Sequence, residues 1–159
     1  MQEVWMDRDV LSTPGHLISL AARSFARLSE MRLKPLGFGI GYLPALMALR
    51  DGRATSQRDL ARIVRIEQPS MAQMMVRMER DGLIRRDPDP ADGRSSRIAL
   101  TQTAIARLPE ACDALFQGNS EALQGFSDDE AEHFIAMLNR VIANLDGLGA
   151  GAAGVREPR

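Results

Sequence analysis

Apolar residues recur at helical spacing through the first quarter of the chain: Leu17, Leu20, Ala21, Phe25, Leu28 and Met31 return every three or four positions. That period puts them on one face of a helix. Thr13 supplies a side-chain cap, and Pro14 sits where a missing N–H costs nothing, so the helix starts there. It ends near Lys34, before Pro35. Gly37, Gly39 and Gly41 break the pattern. A second helix then carries Leu43, Leu46, Met47 and Leu49 to Asp51-Gly52, with Pro44 in its first turn.

Two shorter helices follow. Ser56 caps the first, Gln57 to about Val64, with Asp59 three residues on as a capping-box-like partner. Arg65-Ile66-Glu67 make the turn. Pro69 at the first helical position opens the second, which ends at Asp81 with Gly82 as its stop. Its methionines Met71, Met75 and Met78 share one face, by i, i+4, i+7 spacing, and are expected inside. Ser70, Gln73 and Arg77 lie on another.

The period then changes. Leu83–Arg86 and Ser96–Leu100 read as two short strands around a tip with Pro88, Pro90, Asp92-Gly93 and Arg94. Asp-Gly between strands signals a hairpin, because glycine accepts the positive φ of a tight turn. A hairpin directly after a helix-turn-helix is the layout of a winged helix. Thr101 caps a long helix through Leu108 and Leu115, which Pro109 either kinks or joins near its start. Ser127-Asp128-Asp129-Glu130 is a capping box opening a last helix through Phe134, Leu138, Val141 and Leu145. Residues 147–159 are rich in glycine and alanine and are expected to be a disordered tail. No internal repeat is present.

The expected fold is therefore mainly α with a small β-hairpin wing: a winged helix-turn-helix with N- and C-terminal dimerisation helices. The winged domain spans 42–100. The helical dimerisation region spans 13–36 and 101–146. Its helices carry more apolar face than one small winged domain can bury, which predicts a homodimer.

Composition sharpens this. The chain has 159 residues, 45% of them hydrophobic but only 4% aromatic, so the core is aliphatic and favours helices. No apolar run is long enough to span a bilayer, no cleavable leader pattern opens the chain, and Cys112 is the only cysteine. These points lead to the expectation of a soluble cytoplasmic protein. The net charge of −1 does not by itself favour a nucleic-acid partner, but its distribution is uneven. Residues 1–52 carry a net +1, 53–101 a net +3 and 102–159 a net −5. Lys34 is the only lysine; the other cations are arginine, which suits bidentate contacts to phosphate and guanine.

Several residues are candidates for DNA contact. The hydroxyl, amide and guanidinium of Ser70, Gln73 and Arg77 are the groups that read base edges in a major groove, or else form a solvated helix face. Gln68 and Ser70 lie at a helix start, where backbone amides offer a phosphate site. Ser56 joins them from the start of the preceding helix. Arg94 at the tip could enter a minor groove, with Asp92 holding it or bracing the turn. The alternative is an ordinary surface ion pair. Arg86 and Arg97, one per strand, are phosphate-contact candidates or solvated strand residues.

An enzyme is not expected. His16 and His133 are the only histidines, neither lies in a metal-spaced cluster, and no nucleophile elbow, phosphate loop or dinucleotide fingerprint is present. No metal or cofactor is expected. A winged helix turned to protein contacts, with DNA binding lost, is the remaining alternative.

The run Asp92-Gly93-Arg94-Ser95-Ser96-Arg97-Ile98-Ala99-Leu100-Thr101 resembles the D-x-R…L-T wing signature of MarR-type transcriptional regulators. Ile66-Glu67-Gln68-Pro69-Ser70, Glu79-x-x-Gly82-Leu83-Ile84 and Arg32-Leu33-Lys34-Pro35-Leu36 are similar to the SlyA branch. The resemblance covers roughly residues 14–146. It implies a six-helix winged-helix homodimer on pseudo-palindromic double-stranded DNA, acting as a ligand-released repressor. Recognition helix 68–81 would read the major groove through Pro69, Ser70, Gln73 and Arg77. Wing 87–95 would place Arg94 in the minor groove, with Asp92 supporting it. Gln73 stands where SlyA-like proteins usually carry arginine, which predicts a different operator. The resemblance also implies a small aromatic or phenolic effector, for which His16, Arg23 and Tyr42 are the candidate polar residues. Cys112 reads as a buried structural cysteine, and the nine methionines as adaptable packing.

Overall fold

A computed structural model describes residues 9–94 and 96–153, with side chains as far as residue 149. Six helices and one hairpin follow in the order α1 (Pro14–Leu33), α2 (Tyr42–Arg50), α3 (Gln57–Val64), α4 (Gln68–Arg80), β1 (Ile84–Pro88), β2 (Ser96–Leu100), α5 (Gln102–Ala122) and α6 (Asp128–Ala153). Short 3-10 turns at Val10–Ser12 and Lys34–Leu36 flank α1. The chain divides into two compact units at Gly118.

Local chemistry accounts for the helix ends. Thr13 accepts the His16 N–H at 3.4 Å, with Pro14 in the first turn of α1. At α3, Ser56 Oγ accepts the Asp59 N–H at 3.2 Å and donates to Asp59 Oδ2 at 2.8 Å. The expected capping box is thus a hydroxyl–carboxylate pair. Arg65 ends α3 at φ +59, a left-handed conformation that is uncommon for a side chain other than glycine, asparagine or aspartate. Helix α4 starts at Gln68, with Glu67 as N-cap and Pro69 in its first turn. Its end is a Schellman motif: Leu83 N–H donates to Met78 O at 2.9 Å and Gly82 N–H to Glu79 O at 3.0 Å, with Gly82 at φ +71. At α6 the capping box is complete, Ser127 N–H donating to Glu130 Oε2 at 2.8 Å and Glu130 N–H to Ser127 Oγ at 3.2 Å.

The core of the first unit lies beneath α2, α3, α4 and the hairpin. Leu46, Leu60, Met71, Met75, Met78, Leu83 and Leu108 are fully buried there. Phe38 joins them from the glycine-rich segment after α1, which the sequence marks only as a break. Gly39 next to it lies against the Tyr42 ring; a Cβ at that position would fall 2.5 Å from Cζ. Pro109 lies inside α5, so the proline is accommodated within a continuous helix. Cys112 is half-buried, its thiol 3.6 Å from Met47 Sδ. In the second unit, the Phe126 and Phe134 rings meet at 6.1 Å.

Two expectations change. The strand before the wing tip runs on to Pro88, and Pro88 pairs with Ser96, so the strands part before Asp92-Gly93 and no two-residue Asp-Gly turn joins them. Gly93 is not among the glycines with positive φ. Helix α6 continues through Gly147 to Ala153, where the sequence predicts a disordered tail, because alanine and leucine among the glycines sustain helix. Residues 154–159 of that tail, and Ser95 of the wing, lie outside the described residues.

Candidate nucleic-acid interface

Helix α4 is split lengthwise. Met71, Met74, Met75 and Met78 are buried on one side. Pro69, Ser70, Gln73 and Arg77 are exposed on the other, as the spacing predicts. The outermost line of the exposed side runs Pro69, Gln73, Val76 and Arg80, at i, i+4, i+7 and i+11, with Ser70 and Arg77 along its flank. Val76 is 60% exposed. Its residue type carries no hydrogen-bonding signal, although its i+3 spacing from Gln73 marks it. Gln68, also exposed, accepts a hydrogen bond from Gln57 Nε2 at 3.2 Å, joining the first turns of α3 and α4. Ser56 spends its hydroxyl on the cap of α3.

The wing is fastened at its base and built of side-chain turns at its tip. Ile98 N–H donates to Thr55 O at 2.9 Å, and Thr101 Oγ1 donates to Gly82 O at 2.6 Å, tying β2 to the loop before α3 and to the end of α4. At the tip, Asp89 Oδ1 accepts the Ala91 N–H at 2.9 Å and Asp92 Oδ1 accepts the Arg94 N–H at 3.0 Å. These are Asx turns, in which the carboxylate substitutes for a backbone carbonyl. Asp92 therefore braces the turn through the Arg94 backbone, and the Arg94 side chain is exposed. Arg97 is exposed on β2, in register with Asp87. Arg86 Nε lies 3.3 Å from Glu79 Oε2, so this phosphate candidate is engaged with the last turn of α4.

The three effector candidates are not brought together. Tyr42 lines a pocket of about 430 Å³ with Glu30, Lys34, Phe38, Arg80 and Asp81. Half-buried His16 and exposed Arg23 do not line it. Within the pocket the Tyr42 hydroxyl donates to Asp81 Oδ2 at 3.0 Å, and Arg80 Nε donates to Oδ1 at 3.0 Å. Burial, and then the adjoining Asp81, raise the Tyr42 hydroxyl above its ordinary value and keep it a donor. The Arg80 hydrogen bond, with that of Tyr42 behind it, holds the Asp81 carboxyl below the usual range. The Ser56 hydroxyl does the same for Asp59.

The sign for stability follows. A carboxyl whose folded pKa is depressed stabilises the fold above its ordinary value of 3.8, and that contribution disappears as pH falls through the folded value. Asp81→Asn is expected to be less stable than the parent at pH 7, the gap narrowing towards about pH 3. Urea unfolding at both pH values checks this. An equal gap at both would show that charge at Asp81 plays no part.

Among the described residues, no group of three or more histidine, cysteine or acidic side chains is placed to hold a metal ion. Among them, too, no helix is long and apolar enough to cross a membrane.

Known proteins resemble this arrangement. Residues 43–96 match the MarR family. A probable transcriptional regulator from Pseudomonas aeruginosa is 26% identical with a TM-score of 0.76, the match covering 84% of this chain and 99% of that one. A MarR variant from E. coli, solved in complex with operator DNA, is 21% identical with a TM-score of 0.74 over 84% and 99%. The PcaV transcriptional regulator from Streptomyces coelicolor, in complex with its natural ligand, is 23% identical with a TM-score of 0.72 over 86% and 96%. The fold is a winged helix of this type, and the similarity to the MarR family lies in residues 43–96.

Proposed function

We propose that this chain is a homodimeric, sequence-specific DNA-binding transcriptional regulator of the SlyA-like kind, a repressor released by a small aromatic or phenolic ligand. The observation that carries the reading is one exposed face of α4, bearing Ser70, Gln73 and Arg77, beside a wing tipped by Arg94, both anchored on the same apolar core. Helix α4 is the element for a major groove. The wing carries its cation to the adjacent minor groove, where a narrow slot concentrates negative potential. The E. coli relative solved on operator DNA supports that use of the fold.

Exposed apolar side chains support the dimer. Leu17, Ile18 and Leu20 of α1 are exposed, as are Ile135, Met137, Ile142, Leu145 and Leu148 of α6. None of the described side chains of α6 is buried in the single chain. Such faces call for a second copy, which sets two recognition helices about one turn of DNA apart. The effector reading draws on the PcaV relative's ligand and on the Tyr42 pocket. A ligand that takes the Tyr42 hydroxyl removes a hydrogen bond from Asp81, the C-cap of α4.

The test is Gln73→Ala, measured on DNA that the parent selects from a random-sequence pool. A glutamine amide pairs with adenine in bidentate fashion, and a good pair discriminates by about 1–3 kcal/mol. The variant is expected to lose preference at one base pair per half-site while its binding to random duplex is unchanged. Equal weakening on every sequence would make Gln73 a backbone contact. A parent that selects no sequence would favour a protein-interaction module.

A further inference from the structure

We propose that Val76 is a specificity residue that reads a thymine methyl group in the major groove, next to the adenine read by Gln73. The inference rests on the DNA-binding reading above and deepens it. Apart from the ring of Pro69 at the helix start, Val76 is the one exposed apolar side chain of α4, and it is 60% exposed. Its helical neighbours do not cover it. Glu79, at i+3, is engaged with Arg86 on the hairpin, and Arg80, at i+4, with Asp81 at the helix end.

Nothing in the folding of the domain calls for valine here. The side chain is exposed rather than part of the buried cluster, and β-branched residues are poorer helix formers than the arginine, glutamine and alanine around it. What separates Val76 from a scattered surface valine is its place on the line through Pro69 and Gln73 that faces away from the core. In a major groove that line meets base edges. Those edges present hydrogen-bonding groups at every pair and one apolar group, the C5 methyl of thymine. Three residues advance a helix about 4.5 Å. Successive bases on a strand rise about 3.4 Å. Gln73 and Val76 are therefore spaced to read adjacent base pairs, an adenine and a thymine.

The experiment uses the full chain and a duplex it selects from a random-sequence pool. Each thymine is replaced in turn by deoxyuridine, which keeps every hydrogen-bonding group and removes only the methyl. One position per half-site is expected to weaken parent binding by about fourfold, the factor for one buried methyl group. Val76→Ala is expected to bind the thymine and uracil duplexes equally at that position. Gln73→Ala is expected to keep the difference. A selected duplex on which no thymine replacement matters, or on which Val76→Ala retains the same sensitivity, overturns the role of Val76 and leaves DNA binding standing. Failure to select any sequence overturns both.

Discussion

Arg94→Ala is expected to lower affinity for the selected operator by roughly tenfold for each wing that engages, with no change in melting temperature. Two Asx turns, closed by Asp89 and Asp92, fix the backbone of residues 89–94 without help from the Arg94 side chain. The guanidinium is exposed and contributes nothing to the core, so its removal leaves the fold as it was. In the proposed complex it is held where the minor groove concentrates negative potential, so its loss is expected to be felt at both half-sites. Fluorescence anisotropy on the operator, with thermal unfolding as the control, measures both quantities. Unchanged affinity would contradict the minor-groove assignment of the wing.

Phe38→Ala is expected to have the largest effect on stability, a loss of about 3–5 kcal/mol. Small domains have only about 5–15 kcal/mol in total. Phe38 is 2% exposed and belongs to the cluster with Leu33, Tyr42, Leu43 and Leu46. Its N–H donates to Leu33 O at 3.0 Å, folding the segment back over the end of α1. The ring thereby joins α1 to α2 within the cluster that also holds the α4 methionines. Alanine leaves a cavity that backbone hydrogen bonds on both sides keep from closing. Urea unfolding is expected to show a lower midpoint with an unchanged slope. A loss below about 1 kcal/mol would show that the glycine-rich segment does not anchor the two helices.

Much of the fold is legible in the sequence where the signal is local. Thr13, Ser56, Thr101 and Ser127 start their helices where expected, because a capping side chain acts within three residues of itself. The methionines of α4 lie inside because a 3.6-residue period admits one apolar face. Phe38 was hidden because the three glycines around it dominate local propensity, and burial of a lone aromatic in a loop is decided by tertiary packing. The wing tip departs from its local signal: Asp-Gly favours a tight turn, but Asp89 and Asp92 offer carboxylates that build a wider one.

The interface shows the same division. Ser70, Gln73 and Arg77 were found by residue type, whereas Val76 is visible only once position on the helix is weighed above polarity. Ser56, Gln68 and Arg86 illustrate the converse. Their chemistry suits DNA, yet each is already committed to a cap, a neighbouring glutamine or Glu79. Tyr42 stands with His16 and Arg23 in the sequence only as a polar residue of the first two helices. The pocket instead draws on Arg80 and Asp81, remote in sequence and beyond any local pattern.

The most direct test of the central claim is competition between the selected duplex and a random duplex for the full-length chain across a salt series. The account predicts a strong preference for the selected duplex at every salt concentration. It also predicts a steep linear fall of log affinity with log salt, as phosphate-neutralising arginines release counterions. Equal, weak affinity for both duplexes with little salt dependence would contradict it.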